Sequence, residues 1–151
     1  IEYAVCPGVS SFCGAAAALN LEYTLPNVSQ SVIITRMAGR TPVPEKESIE
    51  SFASHNATMV IFLSTSMLEE LSKRLVSGGY KKETPTAIVY KATWSDEKKI
   101  ICTVETLAEK AKENGITKTA LIIVGNVLEG EYERSKLYDP YFTTEFRKGL
   151  E

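Results

Sequence analysis

The chain has 151 residues, which is enough for one domain with a hydrophobic core. Hydrophobic residues make up 44% of it, which excludes a disordered chain, and the formal net charge of -2 gives no general electrostatic reason to bind nucleic acid or an anionic membrane. The longest apolar runs, MVIFL and ALIIVG, are far too short to span a bilayer. We therefore expect no nucleic-acid partner and no membrane partner.

Apolar periodicity and turn signals predict strands and helices that alternate along the chain. The predicted strands lie at 1–6, 31–36, 58–63, 86–91, 98–103 and 119–125. Three predicted helices lie at 12–21, 49–54 and 104–114. A fourth begins at a capping box formed by Ser66 and Glu69 and ends at Gly78. The turn-like WSDE before 98–103 favours a hairpin, and the tail from 129 onward has no clear period. These patterns predict an α/β fold with a mixed β-sheet flanked by helices.

The stretch CPGVSSFCGAAAAL, near the start of the chain, is a candidate ligand site. Ser10 or Ser11 can cap the helix that follows, and the free N–H groups of a helix start suit a polar or anionic ligand group. The small residues at 14–18 permit close approach of another backbone. A helix packed tightly on a sheet would have the same features, so the residues alone leave both interpretations open.

Two further features are candidate binding elements. The proline-stiffened loop TRMAGRTPVPEKE carries Arg36 and Arg40, whose guanidinium groups pair well with carboxylates or phosphates. A solvated surface loop would have a similar composition. The strand ends at Leu63, Ala92 and Gly125 can line a crevice, because α/β sheets often bind ligands beyond their strand ends. A packing role explains each of these three residues equally well.

No recognised catalytic set is present in the sequence, which lacks a Ser/His/Asp set, a metal-ligand cluster, a P-loop and a G-x-G-x-x-G motif. The three cysteines are odd in number and form no C-x-x-C pair, so they predict neither a zinc site nor a disulfide framework. We expect them to be buried thiols in a reducing cytoplasm. His55 follows a short predicted helix and is expected at the surface.

Several segments together resemble the tetrapyrrole (corrin/porphyrin) methyltransferases of the cobalamin pathway. They are YAVCPGVSSFCGAAAAL, LPNVSQSVIITRMAGRTPVPEKES, ATMVIFLSTSMLEEL, TPTAIVYKATWSDEKKI and GITKTALIIVG. The loop TRMAGRTPVPE is similar to that of the subgroup that methylates carbon 11 of precorrin-4 or cobalt-precorrin-4. The resemblance implies methyl transfer from S-adenosyl-L-methionine (SAM) to a ring carbon, with S-adenosyl-L-homocysteine as product, no metal and a homodimeric enzyme. It identifies no catalytic base.

The resemblance also implies a domain organisation. Members of this family have two α/β domains with SAM between them, and the first domain carries a G-x-G-P-G-D loop and a later G-D-P-type segment that this sequence lacks. Residues 1–26 are therefore expected to end the N-terminal SAM-binding domain, and residues 27–151 to form the C-terminal domain with its tail. The isolated chain is then expected to be inactive. Two alternatives stay open: a sister methyltransferase acting at another ring carbon of a precorrin or uroporphyrinogen, and a non-catalytic dimerisation unit.

Site residues follow from the resemblance one position at a time. The positions expected to bind SAM are Ser10, Ser11, Leu63, Ala92, Ala120 and Leu121. The serines match a pair after the family's P-G turn, and Leu63 stands where the family usually has Met. The three others match small or apolar positions, which suits a flat adenine ring. Arg36 and Arg40 are expected to hold the acidic side chains of the tetrapyrrole, by charge and loop position alone.

Overall fold

The computed structural model describes residues 1–129 and 139–150, and it forms a five-stranded sheet with helices on both faces. The helices are α1 (Ser11–Leu19), α2 (Ile49–Ala53), α3 (Leu68–Gly78) and α4 (Leu107–Glu113). The strands are β1 (Val32–Arg36), β2 (Thr58–Phe62), β3 (Pro85–Tyr90), β4 (Lys98–Thr103) and β5 (Ala120–Val124). The part of the tail at 130–138 lies outside the described residues. None of the described helices has the length and apolar content that a bilayer crossing requires.

The sheet is mixed, as the sequence predicts. Its strand order is β1-β2-β5-β3-β4, in which β1 and β2 are parallel and every other neighbouring pair is antiparallel. The inner strands β2, β3 and β5 are almost wholly buried, which explains their continuous apolar runs. The edge strand β4 pairs with β3 as the predicted hairpin and is mostly exposed or half-buried.

Each face of the sheet has its own core. Helices α2, α3 and α4 cover one face, where Leu71, Leu75 and Leu107 are fully buried. Each such side chain stabilises the fold by about 1.5–3 kcal/mol relative to exposure. Helix α1 covers the other face, where Ala15 packs in one cluster with residues of β2, β3 and β5. The packing interpretation of the small residues at 14–18 is therefore confirmed for Ala15.

The predicted strand at 1–6 is wrong. The alternation of Ile1, Tyr3 and Val5 is typical of a strand, but these side chains are at least 85% exposed and no described segment pairs with them. A strand needs a neighbour for its backbone N–H and C=O groups, so the side-chain pattern alone does not form one. The expectation of buried cysteines is also wrong for Cys6 and Cys13, which are exposed, whereas Cys102 is buried.

Helix α3 begins and ends differently from the prediction. The chain leaving β2 first forms a 3-10 turn at Thr65–Met67, so α3 starts at Leu68 and Ser66 forms no capping box. The helix stops at Gly79, whose φ of +128° favours glycine. Gly78 remains in the helix, where a Cβ atom would come within 2.5 Å of the Ala53 Cβ. The glycine pair thus ends α3 and allows it to contact α2.

Candidate functional site

A cavity of about 370 Å³ opens where β2 and β3 end and β5 begins. Because β5 runs antiparallel between β2 and β3, the carboxyl ends of those two strands and the amino end of β5 meet at one edge of the sheet. We call this cavity the strand-end crevice. Its lining residues are Ser11, Phe62, Leu63, Thr65, Ser66, Val89, Lys91, Ala92, Trp94, Thr117, Lys118, Thr119, Ala120 and Leu121.

The strand-end crevice brings together five of the six positions expected to bind SAM, although they lie far apart in the sequence. These five are Ser11, Leu63, Ala92, Ala120 and Leu121. Ser10 precedes α1 as its N-cap residue and is not among the lining residues, and its side chain makes no cap hydrogen bond. The strand end at Gly125 was expected at a crevice, but it lies at the opposite end of β5 because that strand is antiparallel to β2 and β3.

Helix α1 passes close to the segment after β3 at Gly14. A Cβ atom on Gly14 would lie 3.5 Å from the Thr93 Cγ2 and 3.6 Å from the Ala92 Cβ, which is ordinary van der Waals contact, so alanine would fit here and only a longer side chain would push the two segments apart. Tyr23 anchors the start of α1, since its hydroxyl donates a hydrogen bond to the Phe12 carbonyl over 2.7 Å. Burial, with a smaller effect of Cys13, raises the pKa of Tyr23 to about 12.

Backbone strain is concentrated around the strand-end crevice. Leu63, Lys91 and Thr119 line it and have positive φ values of 53°, 47° and 58°, and Thr93 beside them has 72°. A non-glycine residue in this region costs on the order of 1–3 kcal/mol and persists only when its surroundings hold it there. Leu63 is 80% exposed, so burial of its side chain does not explain its conformation. Outliers of this kind cluster at binding and active sites.

Polar contacts hold the rim of the crevice together. The Lys91 N–H donates to the Thr119 carbonyl over 3.0 Å, and the Thr65 hydroxyl donates to the Ala120 carbonyl over 3.3 Å. The Lys91 ammonium donates to Asp96 over 2.5 Å. That hydrogen bond raises the pKa of Lys91 and lowers the pKa of Asp96, so both groups stay charged near neutral pH. The rim is thus fixed by its own contacts.

The two arginines of the predicted substrate loop have different surroundings. The Arg36 guanidinium donates hydrogen bonds to the carbonyls of Met37, Thr41 and Pro42, over 3.1, 3.3 and 2.9 Å. It therefore holds the loop in shape. Arg36 also lines a second cavity of about 380 Å³, together with Ile34, Thr35, Val43, Pro44, Glu47 and Phe62. We call this second cavity the arginine-loop cavity. Arg40 is exposed and does not line it.

Sequence reasoning missed several residues of the strand-end crevice. The sequence predicts only a turn-like segment at Trp94 and the end of a strand at Lys91. Thr117 and Lys118 precede β5 and line the crevice because the antiparallel strand starts at this edge. The single tryptophan of the chain, in the loop that follows a buried strand, is the one sequence signal that could indicate a binding residue.

Comparison with known proteins identifies the family. The family model for tetrapyrrole (corrin/porphyrin) methylases matches residues 1–108. The chain belongs to this family. This methylase chain is 54% identical over 149 residues to the cobalt-precorrin-4 C(11)-methyltransferase of Methanocaldococcus jannaschii, covering 98% of the chain and 58% of that relative. It is 43% identical to the enzyme of the same name from Priestia megaterium, covering 99% of the chain and 60% of that relative.

Solved structures confirm the fold of the methylase chain. A cobalamin biosynthetic enzyme, cobalt precorrin-4 methyltransferase, superposes with a TM-score of 0.80 at 44% identity, covering 82% of the chain and 52% of that structure. A uroporphyrin-III C-methyl transferase from Thermus thermophilus, solved with S-adenyl homocysteine, has the same fold with a TM-score of 0.67 at 23% identity, over 82% of the chain and 52% of that structure. The chain thus spans little more than half the length of the relatives it matches.

Proposed function

We propose that this chain forms part of a SAM-dependent methyltransferase that acts on carbon 11 of cobalt-precorrin-4 or precorrin-4. The observation that carries this proposal is the convergence of five expected cofactor residues on the strand-end crevice. The names of the most similar relatives support it, since those at 54% and 43% identity are cobalt-precorrin-4 C(11)-methyltransferases. The proposed organisation places residues 1–26 at the end of a SAM-binding domain and 27–151 in the second domain.

The crevice fits the adenosine part of SAM. Its volume of about 370 Å³ lies in the lower part of the range for small-molecule sites, and Ala92 and Ala120 leave room for a flat ring. The hydroxyls of Ser11 and Thr117 and the backbone of the strand ends offer polar groups to fix its orientation. When bound, SAM supplies an activated methyl group, so the chain's residues need only hold and align the reactants.

The arginine-loop cavity is the proposed place for the tetrapyrrole. It adjoins the strand-end crevice, because Phe62 lines both cavities. Arg36 stiffens the loop beside it and Arg40 is exposed on the same loop, which suits a substrate with several carboxylates. A methyl group transferred between neighbouring cavities would travel only a short distance. This geometry supports the assignment of the two arginines to substrate binding, which stays a prediction.

A sister methyltransferase is the less favoured alternative. The uroporphyrinogen-III C-methyltransferase of Bacillus subtilis is only 26% identical to the chain, against 54% for the carbon-11 enzyme. A non-catalytic dimerisation unit is the other alternative, and the methyl-transfer experiment below distinguishes it from an enzyme. A homodimer in the cytoplasm is expected in either case, and both properties stay predictions.

Methyl transfer from SAM carrying a ¹³C-methyl group tests the proposal directly. The protein that carries this chain is incubated with labelled SAM and cobalt-precorrin-4, and the product is examined by carbon NMR. A new methyl signal on ring carbon 11 is the expected result. A signal on another ring carbon would support the sister enzyme. No transfer, together with a dimer in analytical ultracentrifugation, would support the non-catalytic unit.

A further inference from the structure

Trp94 lies at the strand-end crevice, and no role has yet been assigned to its exposed aromatic side chain. It lines the strand-end crevice, yet 62% of its surface is open to solvent. Large aromatic side chains usually bury most of their surface, and their exposure at a concave site is typical of ligand contacts. Among the described residues, none accepts a hydrogen bond from the indole N–H, so no hydrogen bond of the indole fixes the ring.

The segment around Trp94 is held in a defined and strained shape. The Trp94 N–H donates to the Lys91 carbonyl over 3.0 Å, and the Trp94 carbonyl accepts from the Glu97 N–H over 3.1 Å. The Glu97 carboxylate in turn accepts from the Thr93 N–H over 2.7 Å. Lys91 and Thr93 both have positive φ. Positive-φ residues are common in the turns of hairpins, and here they and the three hydrogen bonds hold the loop, and with it the Trp94 ring, in one place.

The indole ring is also positioned by the Lys91 side chain. The Lys91 ammonium lies 5.3 Å from the centre of the Trp94 ring and 5.1 Å from that of Tyr90, and both distances are typical of cation–π contacts. Asp96 also pairs with the same ammonium over 2.5 Å. Its carboxylate offsets the charge of Lys91 beside the ring. The outer rim therefore combines an ordered aromatic face with a neutralised ion pair.

We propose that the Trp94 ring forms the outer wall of the strand-end crevice and stacks on the adenine of the methyl donor. The small side chains of Ala92 and Ala120 line the same crevice and leave space for a flat ring. A flat, weakly charged purine suits this arrangement better than a tetrapyrrole with several carboxylates, because Trp94 and the two alanines offer apolar contact and Asp96 offsets the Lys91 charge beside the ring. This inference rests on the proposed function, and it adds a cofactor-binding residue that sequence reasoning did not identify.

Trp94 is the single tryptophan of the chain, so a 5-fluorotryptophan label reports on this ring alone. In fluorine NMR, S-adenosyl-L-homocysteine and adenosine are each expected to shift the resonance saturably, even if the affinity is only millimolar. Methionine should leave it unchanged, since it lacks the purine. A shift with uroporphyrin but not with adenosine would overturn the proposal, because Trp94 would then contact the tetrapyrrole.

Variants measured by calorimetry separate stacking from mere packing. Trp94→Ala should bind S-adenosyl-L-homocysteine roughly tenfold more weakly, and Trp94→Phe should retain most of the affinity. Ile101→Ala is the matched control, because Ile101 is a 52% exposed apolar side chain that does not line the crevice. If wild type binds and Trp94→Ala binds equally well, the Trp94 proposal is wrong while the proposed function stands. If wild type shows no binding at any soluble concentration, the Trp94 proposal is overturned for this chain, whereas the proposed function is decided separately by the ¹³C-methyl transfer experiment.

Discussion

Leu63 offers a test in which stability and ligand affinity should change in opposite directions. Its φ of 53° is unfavourable for a leucine, and its side chain is 80% exposed. Asparagine adopts this left-handed conformation more readily, so Leu63→Asn removes part of a strain on the order of 1–2 kcal/mol. Because little apolar surface is lost, we expect a net gain of about 0.5–1 kcal/mol in the free energy of unfolding.

The affinity should fall in the same variant, because Leu63 lines the strand-end crevice. Loss of its apolar contact with a bound ligand is expected to weaken S-adenosyl-L-homocysteine binding about fivefold. Thermal unfolding followed by circular dichroism should show a Tm higher by about 1–4 °C, and calorimetry should show the weaker binding.

Leu63→Ala is the matched control for strain, since alanine removes the side chain but keeps the unfavourable backbone conformation. It should weaken binding to the same degree without raising the Tm. If Leu63→Asn instead unfolds more easily than Leu63→Ala, the backbone at this position is not strained. If both variants bind S-adenosyl-L-homocysteine like wild type, Leu63 is not part of the site.

Four other substitutions give three independent tests. Ala92→Trp should fill the crevice and abolish S-adenosyl-L-homocysteine binding in calorimetry while the protein still unfolds cooperatively on heating, and wild-type affinity would remove Ala92 from the site. Arg36→Ala should lower the free energy of unfolding by about 1 kcal/mol, since three loop hydrogen bonds are lost, whereas Arg40→Ala should not. In steady-state kinetics both arginine variants should raise the KM for the tetrapyrrole, and an unchanged KM would assign the loop to folding alone. The pKa of Tyr23 is raised from 10.0 to about 12, so its protonated form stabilises the fold fully below pH 10 and this contribution is lost as the pH rises toward 12. Tyr23→Phe should show a smaller loss of stability over that range in urea unfolding, and an equal loss would mean that Tyr23 does not titrate with unfolding.

Much of the fold could be predicted from local patterns. Five of the six predicted strands and all four predicted helices are present, because apolar runs and turn residues act over short stretches of chain. The prediction at 1–6 was wrong because a strand also requires a partner, which no local pattern supplies. The capping box at Ser66 was wrong because the exit from β2 forms a 3-10 turn before the helix can start.

The sequence predicted individual residues of the candidate site but not that they lie together in one cavity. The resemblance to a family indicated Ser11, Leu63 and Ala92 one at a time, and nothing local places them within one cavity. Gly125 was grouped with the other strand ends because the sequence does not reveal strand direction. Trp94 was missed because its role depends on which strand ends lie beside it.

The amino-acid sequence by itself determined the elements, the mixed α/β class and the family, since these follow from periodicity, turn chemistry and motifs that need no long-range contact. The tertiary structure alone decided where the site lies. Inserting β5 antiparallel between β2 and β3 brings Ala120 beside Leu63 and Ala92, and leaves Gly125 at the far edge. Strand order and direction are set by burial of both faces of the whole sheet, which is a property of the folded chain and of no single segment.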